Sequence, residues 1–347
     1  MVTQFTPQCR SMVLGSFPHK DHGSAVETVL KYTPDYPAWP QLPVFPQEGM
    51  MQQFITGLPG LTLADDRVRV DVAKPGYDQD QLDFFERLLG GEDFPLDADA
   101  AGGIFALIQA LKDAKRLPLA LKGQVVGPFT QAIGAKDMEG RALFFDLQQR
   151  EAITGLLAAR AAWQVKYFKE NFQLPVVIFI DEPGLTGFGS SAFIGIGRDE
   201  VVDTLSQVIQ AIHQAGGLAG IHVCGNTDWG MVMATGADIV NFDVPGYFDR
   251  LLLYGQDLVQ FVNRGGTLAW GMVPTADGAA IAKARVADME ASFWGHVQTL
   301  VDMGLDKEQL MAQSLITPAC GLGTLGMEDA LRVMTLLDQL SRGIREG

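Results

Sequence analysis

His222 and Cys224 stand two residues apart at the end of a short apolar run, Gly220-Ile221-His222-Val223-Cys224, which breaks into Gly225-Asn226. On a strand, residues i and i+2 leave the same face, so an imidazole and a thiol emerge side by side. Nitrogen and sulfur donors together suit a soft metal, zinc first among them. Two donors make a weak site. Cys320 supplies a third where the segment Ser314–Ile316 runs into Pro318-Ala319-Cys320-Gly321, and Asp243, after Ile239–Phe242, could add an oxygen. The bland alternative is a His222 hydrogen-bonded to a carboxylate beside thiols that merely pack. A third soft donor at the end of another strand favours the metal.

These residues need a scaffold that gathers strand ends. Met12–Pro18 reads as a first strand, and the proline-rich, aromatic stretch Pro34–Pro46 can hold one short extended segment before Glu48. From residue 118 the pattern is regular. Leu119–Val126, Val176–Ile180, Ala219–Cys224, Ile239–Phe242, Leu268–Met272 and Ser314–Ile316 each end in a Gly-, Pro- or Asp-containing break. Helical stripes lie between and after them, such as Val202, Leu205, Ile209 and Ile212 before Gly216-Gly217, and Val333, Leu336, Leu337 and Leu340 near the C-terminus. Eight strands alternating with helices predict an α/β fold, one (β/α)8 TIM barrel spanning residues 1–347. Leu61–Leu63, Ala64-Asp65-Asp66 and Arg67–Val72 predict a hairpin insertion near residues 61–72, with Val68, Val70 and Val72 on its dry face. In such a barrel the active site forms at the C-terminal strand ends, where Ser16, Asp181, His222, Cys224, Asp243 and Cys320 all fall.

Composition narrows the partner. Twenty-six basic against forty-one acidic residues leave a net charge of −15 at pH 7. Such a surface repels nucleic acid and anionic membranes and points to a small molecule or another protein. Met1–Arg10 carries no export signal and no run of about eighteen apolar residues occurs, so a cytoplasmic location is expected. The sparse, odd set Cys9, Cys224 and Cys320 argues against a disulfide framework.

Gly15-Ser16-Phe17-Pro18, Ile180-Asp181-Glu182-Pro183, His222-Val223-Cys224, Ala237–Asp243 and Pro318-Ala319-Cys320-Gly321-Leu322 resemble, in that order, motifs of the catalytic domain of cobalamin-independent methionine synthase. The His222–Asn226 and Val126-Gly127-Pro128-Phe129-Thr130 stretches look closer to the related methylcobalamin:thiol methyltransferases and uroporphyrinogen decarboxylases. The resemblance spans almost the whole chain and is specific for the superfamily rather than the member. It implies a zinc-dependent methyltransferase acting on a thiol, with His222, Cys224 and Cys320 as ligands and Asp243 where the synthase has a longer glutamate ligand. It implies that Ser16 meets an amino-acid carboxylate, that Asp181 holds the ammonium, and that Glu48 is a second ammonium partner or a solvated acid.

The synthase's second, folate-binding half is not represented here. A methylcorrinoid, free as methylcobalamin or on a corrinoid protein, is therefore the expected donor, and homocysteine the expected acceptor. Porphyrin decarboxylation is disfavoured, since it needs no metal and the decarboxylase's arginine-rich motif is missing. Two alternatives stay open: a methyltransferase acting on another thiol, of the 2-mercaptoethanesulfonate (coenzyme M) kind, and a non-catalytic zinc- or corrinoid-binding barrel. His19 and His22 read as solvent-exposed loop residues, His213 as a helix-end cation, and His296 stands in no motif. Thr186–Ser191 reads as a rim loop that lacks a phosphate-binding pattern.

Overall fold

A computed structural model describes residues 5–64, 67–190 and 193–347. Its strands are β1 (Arg10–Ser11), β2 (Leu61–Ala64), β3 (Arg67–Val70), β4 (Leu121–Val126), β5 (Lys136–Asp137), β6 (Val176–Asp181), β7 (Leu218–Val223), β8 (Ile239–Asp243), β9 (Thr267–Val273) and β10 (Ser314–Pro318). Seven form one curled parallel sheet in the order β1-β10-β9-β8-β7-β6-β4, surrounded by helices. This is the α/β, TIM-barrel-like architecture expected from the pattern. β6 reads as a nearly continuous apolar run because both of its faces are covered. In β6, Val176 to Ile180 are all 1% exposed or less. The long helix Leu147–Phe172 packs on β4 and β6, and Arg198–Gln214 packs on β7. The stripe Val333, Leu336, Leu337 and Leu340 is buried, on the C-terminal helix Met327–Glu346.

Two expectations shift. The first ladder forms at Arg10–Ser11, upstream of Met12–Pro18, although the Met12 N–H still reaches the Ile316 carbonyl at 3.0 Å. The expected second strand does not form a ladder. Pro37 and Pro40 have no N–H to give, so the backbone of residues 36–41 pairs with its neighbours only around the bridges Ala38↔Lys122 and Ser16↔Gln41. The bonds there run from the Trp39 N–H to the Lys122 carbonyl (3.2 Å), the Lys122 N–H to the Pro37 carbonyl (3.0 Å), the Gln41 N–H to the Gly15 carbonyl and the Phe17 N–H to the Gln41 carbonyl (2.9 Å each). Side chains seal this seam between β1 and β4. Lys122 Nζ donates to the Leu14 carbonyl and to Gln124 Oε1 (2.9 Å), and Gln124 Nε2 donates to the Trp39 carbonyl (3.0 Å). Each such carbonyl left bare inside the protein would cost ~1–3 kcal/mol.

The hairpin insertion forms as β2 and β3, antiparallel with Leu61 opposite Val70, and β5 joins it as a third strand. Val68 and Val70 are buried, but β3 stops at Val70 and Val72 is 57% exposed, so Val72 does not share the dry face. The expected turn residues Asp65 and Asp66 lie outside the described residues. No helix among the described residues is long and apolar enough to cross a membrane.

Candidate functional site

His222 lies one residue before the end of β7, in register with Asp181 on β6 and Asn241 on β8. Cys224 follows β7 directly, and Cys320 stands two residues beyond β10. The donor atoms of His222, Cys224 and Cys320 all lie within 4.8 Å of one another. The Asn241 amide fixes the imidazole. Its Nδ2 donates to the Ala269 carbonyl (2.9 Å) and to Thr317 Oγ1 (2.8 Å), which turns Oδ1 toward His222 Nδ1 at 2.5 Å. The proton therefore sits on Nδ1, and Nε2 keeps its lone pair. Burial pushes the imidazole pKa down to about 4, against the pull of the Asn241 hydrogen bond, so the ring is neutral near pH 7.

The two thiols face each other, and the contact brings the Cys224 pKa down to about 7, while that contact and burial push Cys320 well up. One thiolate forms readily and the second resists until a cation is present. A neutral imidazole nitrogen and two thiols, one poised to ionise, fit zinc. Three protein donors are the number a catalytic zinc uses, one fewer than a closed structural site.

Asp243 stands outside this group. It ends β8 and precedes the helix Val244–Leu251, and its carboxylate folds back over the first turn, where a Cβ on Gly246 would sit 3.0 Å from Oδ2. Burial raises its pKa.

The cluster forms one wall of a cavity of about 310 Å³ also lined by Ser16, Glu48 and Asp181. The loop after Cys320 wraps Ser16: the Leu322 N–H donates to the Ser16 carbonyl (2.9 Å) and the Gly323 N–H to Ser16 Oγ (3.3 Å). The Ser16 hydroxyl, accepting there, keeps its proton to donate. Asp181 ends β6 with Oδ1 buried and without a hydrogen-bond partner. Burial lifts its pKa to about 7, against the opposing attraction of the Lys122 cation.

Glu48 is 2% exposed and not a solvated acid. Its Oε2 accepts from the Leu42 N–H (2.6 Å) and its Oε1 pairs with His22 Nε2 (2.6 Å). Its pKa is raised by burial, opposed by those bonds. This corrects the reading of His22, which is half-buried on Glu48 and stacked on Phe45, and of His19, which is buried against Thr28 Oγ1 at 3.1 Å. His213 pairs with Asp238 near its helix end, and His296 packs on Phe248.

Three residues in and around the motifs do work that the sequence reading left unassigned. Asn241 orients His222, as above. Glu182, 0% exposed, accepts from the Phe129 N–H (3.0 Å), the Thr130 N–H (2.9 Å) and Thr130 Oγ1 (2.5 Å). It thereby ties the end of β6 to the end of β4, and a side chain on Gly127 would overlap it, which explains the glycine in Val126-Gly127-Pro128. Lys122, also 0% exposed, lies under Asp181 with its pKa lowered by burial to about 8. A lone lysine inside an otherwise buried strand is the signal that marks it in the sequence.

No protein-family model matches the chain, and no curated protein does. Solved structures match in fold. One is a B12-independent methionine synthase from Shewanella sp. W3-18-1 in complex with selenomethionine, with a TM-score of 0.56, 13% identity, and 98% of each chain covered. Another is a methyltransferase from Methanosarcina mazei, with a TM-score of 0.51, 12% identity, and 97% of this chain and 94% of that one covered. At such identities the likeness is one of fold, and the site must carry the chemistry.

Proposed function

We propose that the protein is a zinc-dependent methyltransferase that moves a methyl group to the sulfur of homocysteine, giving methionine. One observation carries the reading. A His-Cys-Cys donor set and a hydroxyl with two carboxylates, Ser16, Asp181 and Glu48, line the same cavity. Zinc held by His222, Cys224 and Cys320 stabilises a bound thiol as the thiolate, the form that attacks a methyl group. Asp181, whose Oδ1 lacks a protein partner, receives the acceptor's ammonium. Ser16 donates its hydroxyl to the acceptor's carboxylate. Glu48, already engaged by Leu42 and His22, supplies negative charge to the same end of the cavity. The result is orientation: a zwitterion held at one end presents its sulfur to the metal at the other. The solved neighbours, a methionine synthase and a methyltransferase on the same fold, support this chemistry.

The donor we infer is a methylated corrinoid, on the likeness of the Val126–Thr130 and His222–Asn226 stretches to methylcobalamin:thiol methyltransferases. The B12-independent neighbour makes a methylated folate the competing donor. The test is an assay of zinc-loaded protein with methylcobalamin or methyltetrahydrofolate against homocysteine and 2-mercaptoethanesulfonate, with detection of the thioether. Turnover of homocysteine with methylcobalamin is expected. Turnover only with 2-mercaptoethanesulfonate would remove the amino-acid acceptor, and stoichiometric capture without turnover would leave a binding protein.

A further inference from the structure

Lys122 does not line the cavity, yet it is fully buried and bonded to Leu14, which does. Its Nζ donates to the Leu14 carbonyl and to Gln124 Oε1, and lies 4.9 Å from the centroid of the Phe179 ring. These contacts occupy it as an anchor. Leu14 lines the cavity itself and precedes Ser16 by two positions. Between them Gly15 takes φ +138°, and a Cβ there would meet the Gln124 and Gln41 side chains at 2.8 Å. The turn into Ser16 thus rests directly on the amide that Lys122 holds. Backbone pairing holds the residues on either side of Ser16, the Gln41 N–H donating to the Gly15 carbonyl and the Phe17 N–H to the Gln41 carbonyl (2.9 Å each), while the Leu14 carbonyl is taken by Lys122.

We propose that Lys122 is a positioning residue for the acceptor's carboxylate end: by pinning the Leu14 carbonyl and the Gln124 amide it fixes the Ser16 hydroxyl over the cavity. This rests on the amino-acid reading of the site given above. A charged donor suits the role, since it bonds a carbonyl more strongly than a neutral amide does and brings more than one hydrogen to do it.

The test uses zinc-loaded full-length protein and two ligands in calorimetric titration. L-Methionine carries the amino-acid end without a thiol, and 2-mercaptoethanol carries a thiol without the amino-acid end. Lys122→Met should weaken methionine binding by ~10-fold or more, the size of one lost, well-placed hydrogen bond at the ligand. Zinc content and 2-mercaptoethanol binding should stay at wild-type levels. Lys122→Gln, with an uncharged amide one bond shorter, is made in parallel and carries the test if burial of a thioether prevents folding.

A double-mutant cycle adds the readout that a general structural role would not move. The cycle is run in the Asp181→Asn background, which removes the attraction between Lys122 and Asp181; there the Lys122 substitution should cost methionine little further affinity once Ser16→Ala is present, because both act through the same hydroxyl. Full methionine affinity in a folded Lys122 variant overturns the proposal, as do additive losses with Ser16→Ala or equal losses for both ligands. A wild-type protein that binds zinc and 2-mercaptoethanol but no methionine sinks the amino-acid reading itself, and the proposal with it.

Discussion

His222, Cys224 and Cys320 stand on or just beyond strands that pair along their length, β7 with β6 and β8, and β10 with β9, where one register shift falls between Thr317 and Pro318, just before Cys320. Ser16 stands where Pro37 and Pro40 reduce the sheet to isolated bridges and side chains add to its hydrogen bonds, and Glu48 lies in the turn Pro46–Glu48 that follows this segment. In the first region parallel register places the donors, and one amide, Asn241, sets the tautomer. In the second, a buried network of Lys122, Gln124, Gln41 and Gln53 holds the backbone. Gln41 Nε2 donates to Gln53 Oε1 at 2.5 Å, and Gln53 Nε2 to the Ala100 carbonyl at 2.6 Å. The difference has a consequence. Metal affinity should answer to the donors and their immediate orienting groups, while acceptor affinity should answer also to residues that touch no ligand.

The largest effect tests the metal side. Cys224→Ser and Cys320→Ser should each lower zinc from about one per chain to a small fraction while the barrel stays folded, since a catalytic zinc contributes little to folding. Metal analysis beside a thermal melt checks both parts, and full occupancy in both variants breaks the site. Next in size is Asn241→Leu, which leaves His222 Nδ1 without its partner and frees the ring to turn. Zinc affinity should fall by about 10–100-fold, measured by competition with a chelator. An unchanged affinity would mean that Asn241 serves only the Ala269 and Thr317 contacts.

Asp181→Asn tests the acceptor's ammonium contact, which stands on β6 in register with His222. Affinity for an amino-acid acceptor should drop by ~1–3 kcal/mol, the range for losing a charged hydrogen-bond partner, with zinc content unchanged. If zinc falls as well, metal binding and acceptor binding are not separable in the way described.

The smallest effect is a control at the far end of the barrel. His213 Nε2 meets Asp238 Oδ2 at 2.7 Å, both side chains more than a third or nearly so exposed, and this contact raises the His213 pKa above 6.5. Its stabilisation is fully present below that unfolded value and is lost as pH rises through the folded one. Solvent screening limits the stabilisation to under ~1 kcal/mol. His213→Gln should remove that pH dependence from chemical unfolding curves and leave zinc and methionine binding untouched.

The same division explains what the sequence disclosed. The strand ends that carry Asp181, His222 and Asp243 lie within a residue or so of where the apolar runs break, because strands buried on both faces leave no ambiguity of period. The convergence of Cys320 with Cys224 followed from placing both at strand ends of one barrel. Asp243 was placed correctly along the chain, but the direction of a short carboxylate over its own helix turn has no sequence signature. The seam was harder. A proline-rich stretch reads as a poor strand and gives no hint that Lys122 and Gln124 complete it from the other side. His19 and His22 read as exposed in the sequence because loop residues usually are, whereas burial there comes from Thr28, Phe45 and Glu48, partners 9 to 26 positions away.

The most direct test of the central claim is X-ray absorption at the zinc edge of the zinc-loaded protein, recorded before and after addition of L-homocysteine. If the cavity brings an amino-acid thiol to a His222–Cys224–Cys320 metal, the zinc gains one sulfur neighbour, rising from two to three, and Asp181→Asn requires more homocysteine to reach the same spectrum. A spectrum that does not change at saturating homocysteine, or one that already shows four protein ligands without it, would contradict the account.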